Sequence, residues 1–195
     1  MSTCTLVIDI HNWWQPGTGR GSGAHVDALA HTDADGIPEL PGRTVKGLLR
    51  DAVEQAEEMG WLDKGLADSL FGKEADADGN GSRPGTLRIA SARLSDKERR
   101  WLASQAGEAA RQQLFAELAS TAINADSGSA RAASLRAIQV VLPLKLAAEI
   151  EVLPVHEAPA EWVAALETAL PLIRAVGSGR SRGLGRATLS LEERP

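Results

Sequence analysis

The chain has no tyrosine, only two phenylalanines and a single cysteine among its 195 residues. The scarcity of Tyr and Phe counts against the aromatic base-stacking platforms common in single-strand binders. One cysteine, Cys4, excludes an internal disulfide, and the lack of a Cys/His cluster leaves no zinc signature. No apolar run reaches the length of a signal-peptide core or a membrane span, so a reducing cytoplasm is expected and no membrane partner. Basic excess is also missing. With a net charge of −5, nucleic-acid binding requires a local patch rather than a basic surface. What is present is ordinary globular composition, 43% hydrophobic and 24% charged, in a chain long enough to bury a sizeable core.

The local patch is visible from Ala175 to Arg186, where Gly177, Gly179, Gly183 and Gly185 interleave with Arg180, Arg182 and Arg186. Glycines let backbone N–H groups turn toward a ligand and let a polyanion approach the main chain. Arginines supply charge in a fork that matches phosphate oxygens. No acidic residue occurs from Ile173 to Leu191.

Thr3 to His11 alternates and is β-branched, which predicts a first strand. Asn12 to Gly23 is a long loop whose glycines prevent regular structure. His25, Asp27, His31, Asp33 and Asp35 follow, before Gly36-Ile37-Pro38. Carboxylates beside a glycine loop can hold a divalent metal or supply a general base. Pro41 to Arg50 superficially resembles a phosphate loop but lacks the Gly-Lys-Ser/Thr ending, which excludes Walker-type nucleotide hydrolysis. It reads instead as a helix start, with Thr44 as N-cap and Val45, Leu48, Leu49, Ala52, Val53 and Ala56 at helical spacing to near Met59. Arg43, Lys46 and Arg50 sit in or near its first turns, where cations oppose the helix dipole and phosphate is favoured. Asp76 to Gly81 imitates an EF-hand opening, but its twelfth position is Leu87 instead of glutamate, so a turn-rich loop is expected.

Thr86–Leu94 is a second predicted strand. Ser95 or Asp96 then caps a helical pattern through about Ala119, with Trp101, Leu102, Leu114, Phe115 and Leu118 expected inward. Residues from about 120 to 138 form an exposed excursion carrying Arg131 and Arg136. Ala137–Val152 reads as one or two strands broken at Pro143. Pro159–Ala175 is an amphipathic helix burying Trp162, Leu166, Leu170 and Ile173, and Leu184–Leu191 a last strand. The order fits one α+β domain over 1–195, a ferredoxin-like sandwich with a helical insertion at about 95–119.

Four stretches together resemble the RAMP superfamily of CRISPR-associated proteins, and in particular the backbone subunits of type III effector complexes. They are Gly36–Gly47 with its preceding glycine loop, Leu70-Phe71-Gly72 before Gly85–Ile89, Arg131 through Pro143, and Gly177–Gly185. The resemblance implies a modified RNA-recognition fold that lays guide RNA along a positive face, with copies stacked head to tail beside other effector subunits. It places Lys46 on the guide backbone, Gly177 to Gly185 at the guide, and the 120–138 excursion as the thumb that interrupts pairing with target RNA. Asp27 falls where catalytic members place an aspartate that cleaves paired target RNA with Mg²⁺. Cleavage there would follow from splaying a nucleotide so that its 2′-hydroxyl lines up on the adjacent phosphate, with His25 as a candidate helper. Two other outcomes are open: an architectural subunit without chemistry, or a metal-independent guide-processing endoribonuclease using His11 or His25.

Overall fold

The alternation at the start of the chain becomes strand β1, Thr3–Ile10, in a computed structural model that describes residues 3–17, 28–73, 75, 81–121, 123–124, 127–129, 136–153 and 158–193. Helix α1 (Gly42–Glu58) and helix α2 (Leu66–Phe71) follow, then a small hairpin of β2 (Gly72–Lys73) with β3 (Arg83–Pro84). Strand β4 is Leu87–Ile89. Helices α3 (Asp96–Ala103) and α4 (Glu108–Gln113) lead into β5 (Phe115–Ser120), which pairs antiparallel with β6 (Arg136–Val141). Strand β7 (Lys145–Val152), helix α5 (Trp162–Ala169) and strand β8 (Ala187–Glu193) complete the described elements.

Four strands form one antiparallel sheet in the order β4-β7-β1-β8. Without α2, the small hairpins and the α3–α4 insertion, the path is β1-α1-β4-β7-α5-β8. This is the ferredoxin-like arrangement that the order of sequence patterns predicts. Leu6, Ile8 and Ile10 of β1 and Leu146, Ala148 and Ile150 of β7 join the buried face of α1 and Trp162 and Leu166 of α5 in a single core cluster. Truncating a fully buried leucine such as Leu166 to alanine in such a core costs roughly 2–5 kcal/mol. Cys4 is part of this core, and burial, with a smaller push from Glu167, raises its thiol to about 11. No helix among the described residues is long and apolar enough to cross a membrane.

Several local expectations change. Helix α1 begins at Gly42 with Pro41 as its N-cap, and the N–H groups of Thr44 and Val45 both donate to the Pro41 carbonyl. Thr44 is therefore inside the first turn rather than capping it. A Cβ at Gly42 would stand 2.5 Å from the Ile89 carbonyl oxygen, so glycine lets the helix start against β4. Ser95 does cap α3, in a reciprocal capping box with Glu98. The helical insertion ends at Gln113, not near Ala119, because Phe115 to Ser120 pairs with β6 in register from Phe115↔Val141 to Ser120↔Arg136. Trp101, expected inward, is 52% exposed, and Leu102 fills the core in its place. The strand predicted over Thr86–Leu94 is regular only at β4. Its ladder to β7 slips by one residue between Ile89↔Ile150 and Arg93↔Ala147, which is a β-bulge.

Candidate nucleic-acid interface

The glycine-arginine segment leaves α5 through a 3₁₀ turn at Leu170–Leu172 and enters β8. Gly177 and Gly185 have φ of +80° and +71°, and a Cβ at either would collide with backbone, at Gln15 and Val176 respectively. Only glycine tolerates both the left-handed backbone and the close approach. The loop is zipped onto the segment that follows β1. Ser178 N–H donates to the Gln15 carbonyl (2.7 Å), Gly185 N–H to Trp13 (2.8 Å) and Val176 N–H to Gly185 (2.8 Å). Asn12 completes the seam, its Nδ2 donating to the Gly183 carbonyl at 2.6 Å while its Oδ1 accepts from Arg186 N–H at 2.7 Å. The expectation that the loop offers backbone amides to a ligand is thus reduced. Several of those amides hold the loop in place, and what it presents outward is arginine.

Arg180 and Arg182 stand on a short 3₁₀ turn between Gly179 and Gly183. A cleft of about 560 Å³ beside it is lined by His11, Asn12, Arg174, Arg180, Leu184 and Arg186, among others. The floor is therefore a fixed seam, and the charge comes from one stretch, Arg174 to Arg186. All four of Arg174, Arg180, Arg182 and Arg186 are exposed, and none has a carboxylate within 4.0 Å among the described residues. His11 Nε2 lies 2.8 Å from Thr188 Oγ1, and its Nδ1 is 4.0 Å from Asp9. Arg174 and Arg180 also line a second groove of about 360 Å³, whose far wall is Leu48, Asp51 and Gln55 of α1.

The structure thus brings together Gly177, Gly179, Arg180, Arg182, Gly183 and Gly185. It keeps Arg186 with them, as the sequence patch implied, and adds Arg174 and Asn12, which sequence reasoning did not select. The available signal was the position of Arg174 three residues before the first loop glycine. Arg43, exposed, and Lys46, half-buried, occupy the first turns of α1 where it abuts β4, and α1 lines the second groove with later residues instead. Arg50 is engaged inside the domain. Its guanidinium donates to Glu54 (2.6 Å), Asp68 (3.0 Å) and the Gly72 carbonyl (2.6 Å), bracing α1 against α2. Arg136 is exposed at the end of the β5–β6 ribbon, opposite Ser120. His25, Asp27, Arg131 and the EF-hand-like residues 76–80 lie outside the described residues.

Of the acidic candidates after Asp27, Asp33 serves the fold. Asp33 Oδ2 accepts from Arg99 at 2.8 Å, and its Oδ1 accepts from the N–H groups of Asp35 (2.9 Å) and Ile37 (3.0 Å). Burial pushes the Asp33 carboxyl up, but the Arg99 bond and these backbone donors outweigh it and hold it below the ordinary value. Glu39 is buried between Arg93, at 2.5 Å, and His31, at 3.3 Å. Among the described residues no three His, Cys, Asp or Glu side chains gather as a metal site. The expectation of Mg²⁺ rests on Asp27, which lies outside the described residues.

Residues 15–188 match the profile of the family described as RAMPs, the RAMP superfamily. A chain in the cryo-EM structure of the Type III-B Cmr-beta complex bound to cognate target RNA superposes with a TM-score of 0.72 at 9% identity, covering 98% of this chain and 97% of that one. A chain in the apo state of Cmr-beta gives 0.70 at 10% identity and covers 97% of each. By sequence, no curated protein matches significantly. At such identities the superpositions establish a shared fold.

Proposed function

The chain belongs to the RAMP superfamily, and on that premise we propose that it is a guide-RNA-binding backbone subunit of a type III CRISPR effector complex. The observation that carries this reading is the arginine cleft. A protein of net charge −5 keeps four arginines around a rigid, glycine-locked seam with no carboxylate within 4.0 Å of them among the described residues. Guanidinium groups grip phosphate oxygens in pairs and read no base. That is the recognition a guide-holding subunit needs, since base pairing carries sequence. Neighbouring copies stacked head to tail and other effector subunits would extend the track beyond one cleft. Arg43, Lys46, Arg131 and Arg136 are further contacts in this proposal.

Binding of a labelled single-stranded RNA, followed by anisotropy across a salt series, tests it. Wild type weakens steeply with salt, and the Arg180→Gln/Arg182→Gln double variant lowers the log–log slope by about 1.4, at roughly 0.7 for each phosphate no longer neutralised. An unchanged slope would remove the loop from the interface. Cleavage of guide-paired target RNA is the further part of the proposal, with Asp27 as the residue it depends on. In the guide-loaded complex with Mg²⁺, Asp27→Ala retains target binding and loses the regularly spaced products. Products at the wild-type rate would reject Asp27.

One observation favours a second reading. His11, held by Thr188 beside the arginines, would serve in that reading as a general base for metal-independent processing of RNA. Cleavage that persists in a chelator and is lost in His11→Ala would favour it over the first.

A further inference from the structure

Two adjacent tryptophans follow β1 and differ in their surroundings. Trp14 is fully buried, and its indole N–H donates to the Leu142 carbonyl at 3.0 Å. Its backbone exchanges hydrogen bonds with Val141 at the end of β6, at 3.1 and 2.8 Å. Trp13 is 40% exposed, and its indole N–H makes no hydrogen bond among the described residues. Successive side chains of an extended segment face opposite sides, so a Trp14 anchored in the core turns its neighbour away from it.

An exposed tryptophan alone is ordinary. What sets Trp13 apart is where its backbone is held. The Gly185 N–H donates to its carbonyl at 2.8 Å, and the Ser178 N–H donates to the carbonyl of Gln15 at 2.7 Å. Asn12, on the other side of it in the chain, bonds the Gly183 carbonyl and the Arg186 N–H and lines the cleft with Arg174, Arg180 and Arg186. The segment is thus pinned between β6 and the arginine loop, and the indole stands beside the cationic cleft before any ligand arrives. Neither Trp61 nor Trp101, the other exposed tryptophans, has a backbone bond to that loop among the described residues. A ligand that satisfies both features carries phosphate and a flat aromatic face on one repeating unit, which describes a nucleotide. Every base has a π-face, so a tryptophan that stacks on one adds affinity without reading sequence.

We propose that Trp13 is a stacking site for one base of a single-stranded RNA segment whose phosphates the arginines of the cleft hold. This rests on the RNA reading of the cleft and adds to it a contribution that is not ionic. The arginines set the salt dependence, and Trp13 supplies affinity that salt leaves in place. Because the ring is already positioned, little side-chain ordering is lost when a base arrives.

Anisotropy of a labelled single-stranded RNA across a salt series, measured on the full chain, tests it. Trp13→Ala weakens binding by roughly tenfold at every salt concentration and leaves the log–log slope at the wild-type value. Trp13→Phe keeps most of the affinity, whereas Trp13→Leu, apolar but without a π-face, loses as much as Trp13→Ala. An abasic ribose-phosphate strand of the same length and charge binds wild type and all three variants equally. If the Arg180→Gln/Arg182→Gln slope falls while Trp13→Ala binds RNA as wild type does, the stacking proposal is overturned and the arginine cleft stands. Equal losses on RNA and on the abasic strand, or a Trp13→Phe as weak as Trp13→Ala, also overturn it, since the ring would then be supporting the loop rather than a base. An unchanged arginine slope instead removes the cleft from the interface, and this proposal with it.

Discussion

Two groups of arginines in this chain look alike in sequence and differ in surroundings. Arg50, Arg93 and Arg99 each sit within 3.0 Å of a carboxylate and hold pieces of the domain together. Arg174, Arg180, Arg182 and Arg186 lie on or beside a seam of backbone bonds and have no such partner among the described residues. An arginine already bonded to a partly buried carboxylate cannot turn to a phosphate without leaving that carboxylate unpaired. An exposed one keeps its hydration until a ligand arrives. The difference separates charge that builds the fold from charge available to RNA, and it can be broken experimentally at either end.

The largest effect is expected in the seam itself. Gly185→Ala combines a φ of +71° with a collision against the Val176 backbone, and should cost at least ~3 kcal/mol in denaturant unfolding. Gly183→Ala, at φ +82° but facing open space, should cost only about 1–2 kcal/mol. Equal losses would mean that the seam is not what locks the loop.

Next in size is the exchange of roles between the arginine groups. Arg99→Ala leaves Asp33, whose side chain is 8% exposed, without its partner. A loss of about 2 kcal/mol is expected, below the range for fully buried pairs because Arg99 retains 24% exposure. The salt slope of RNA binding should not move. Arg174→Gln should do the reverse, with stability within ~0.5 kcal/mol of wild type and a shallower slope. A shift in both quantities for either variant would erase the distinction.

Acid sharpens the same comparison more gently. The Asp33 carboxyl is held below its ordinary value in the fold, so its contribution is complete above the unfolded value of about 3.9. It is lost as pH falls below that and through the folded value, where the carboxylate protonates. Asp33→Asn should flatten this part of the stability profile, whereas the Arg180→Gln/Arg182→Gln double variant should leave it unchanged. The smallest effect is expected at Trp101, 52% exposed, where Trp101→Ser should stay within ~0.5 kcal/mol of wild type.

Much of the sheet was legible because its strands alternate clearly. β1, β7 and β8 each have one face packed on helices, so period two shows directly in their residues. β5 was not legible. Leu114, Phe115 and Leu118 satisfy helical spacing as well as they satisfy a strand, and the decision rests with β6, some twenty residues away. Trp101 failed for a related reason, since two adjacent hydrophobic residues on a short helix, Trp101 and Leu102, do not reveal which of them the domain covers.

The sequence by itself determined the alternating strands and the amphipathic helices. It also determined where glycine permits a left-handed backbone, and that arginine concentrates before β8. These follow from local sterics and from the spacing of apolar residues, which any chain carries with it. Only the tertiary structure decided that Arg50 braces two helices, that Asp33 belongs to Arg99, and that Arg174 and Arg186 join Arg180 around Asn12. Electrostatic pairing depends on distance through space, and the partners meet only once the sheet has brought remote segments within a few ångströms.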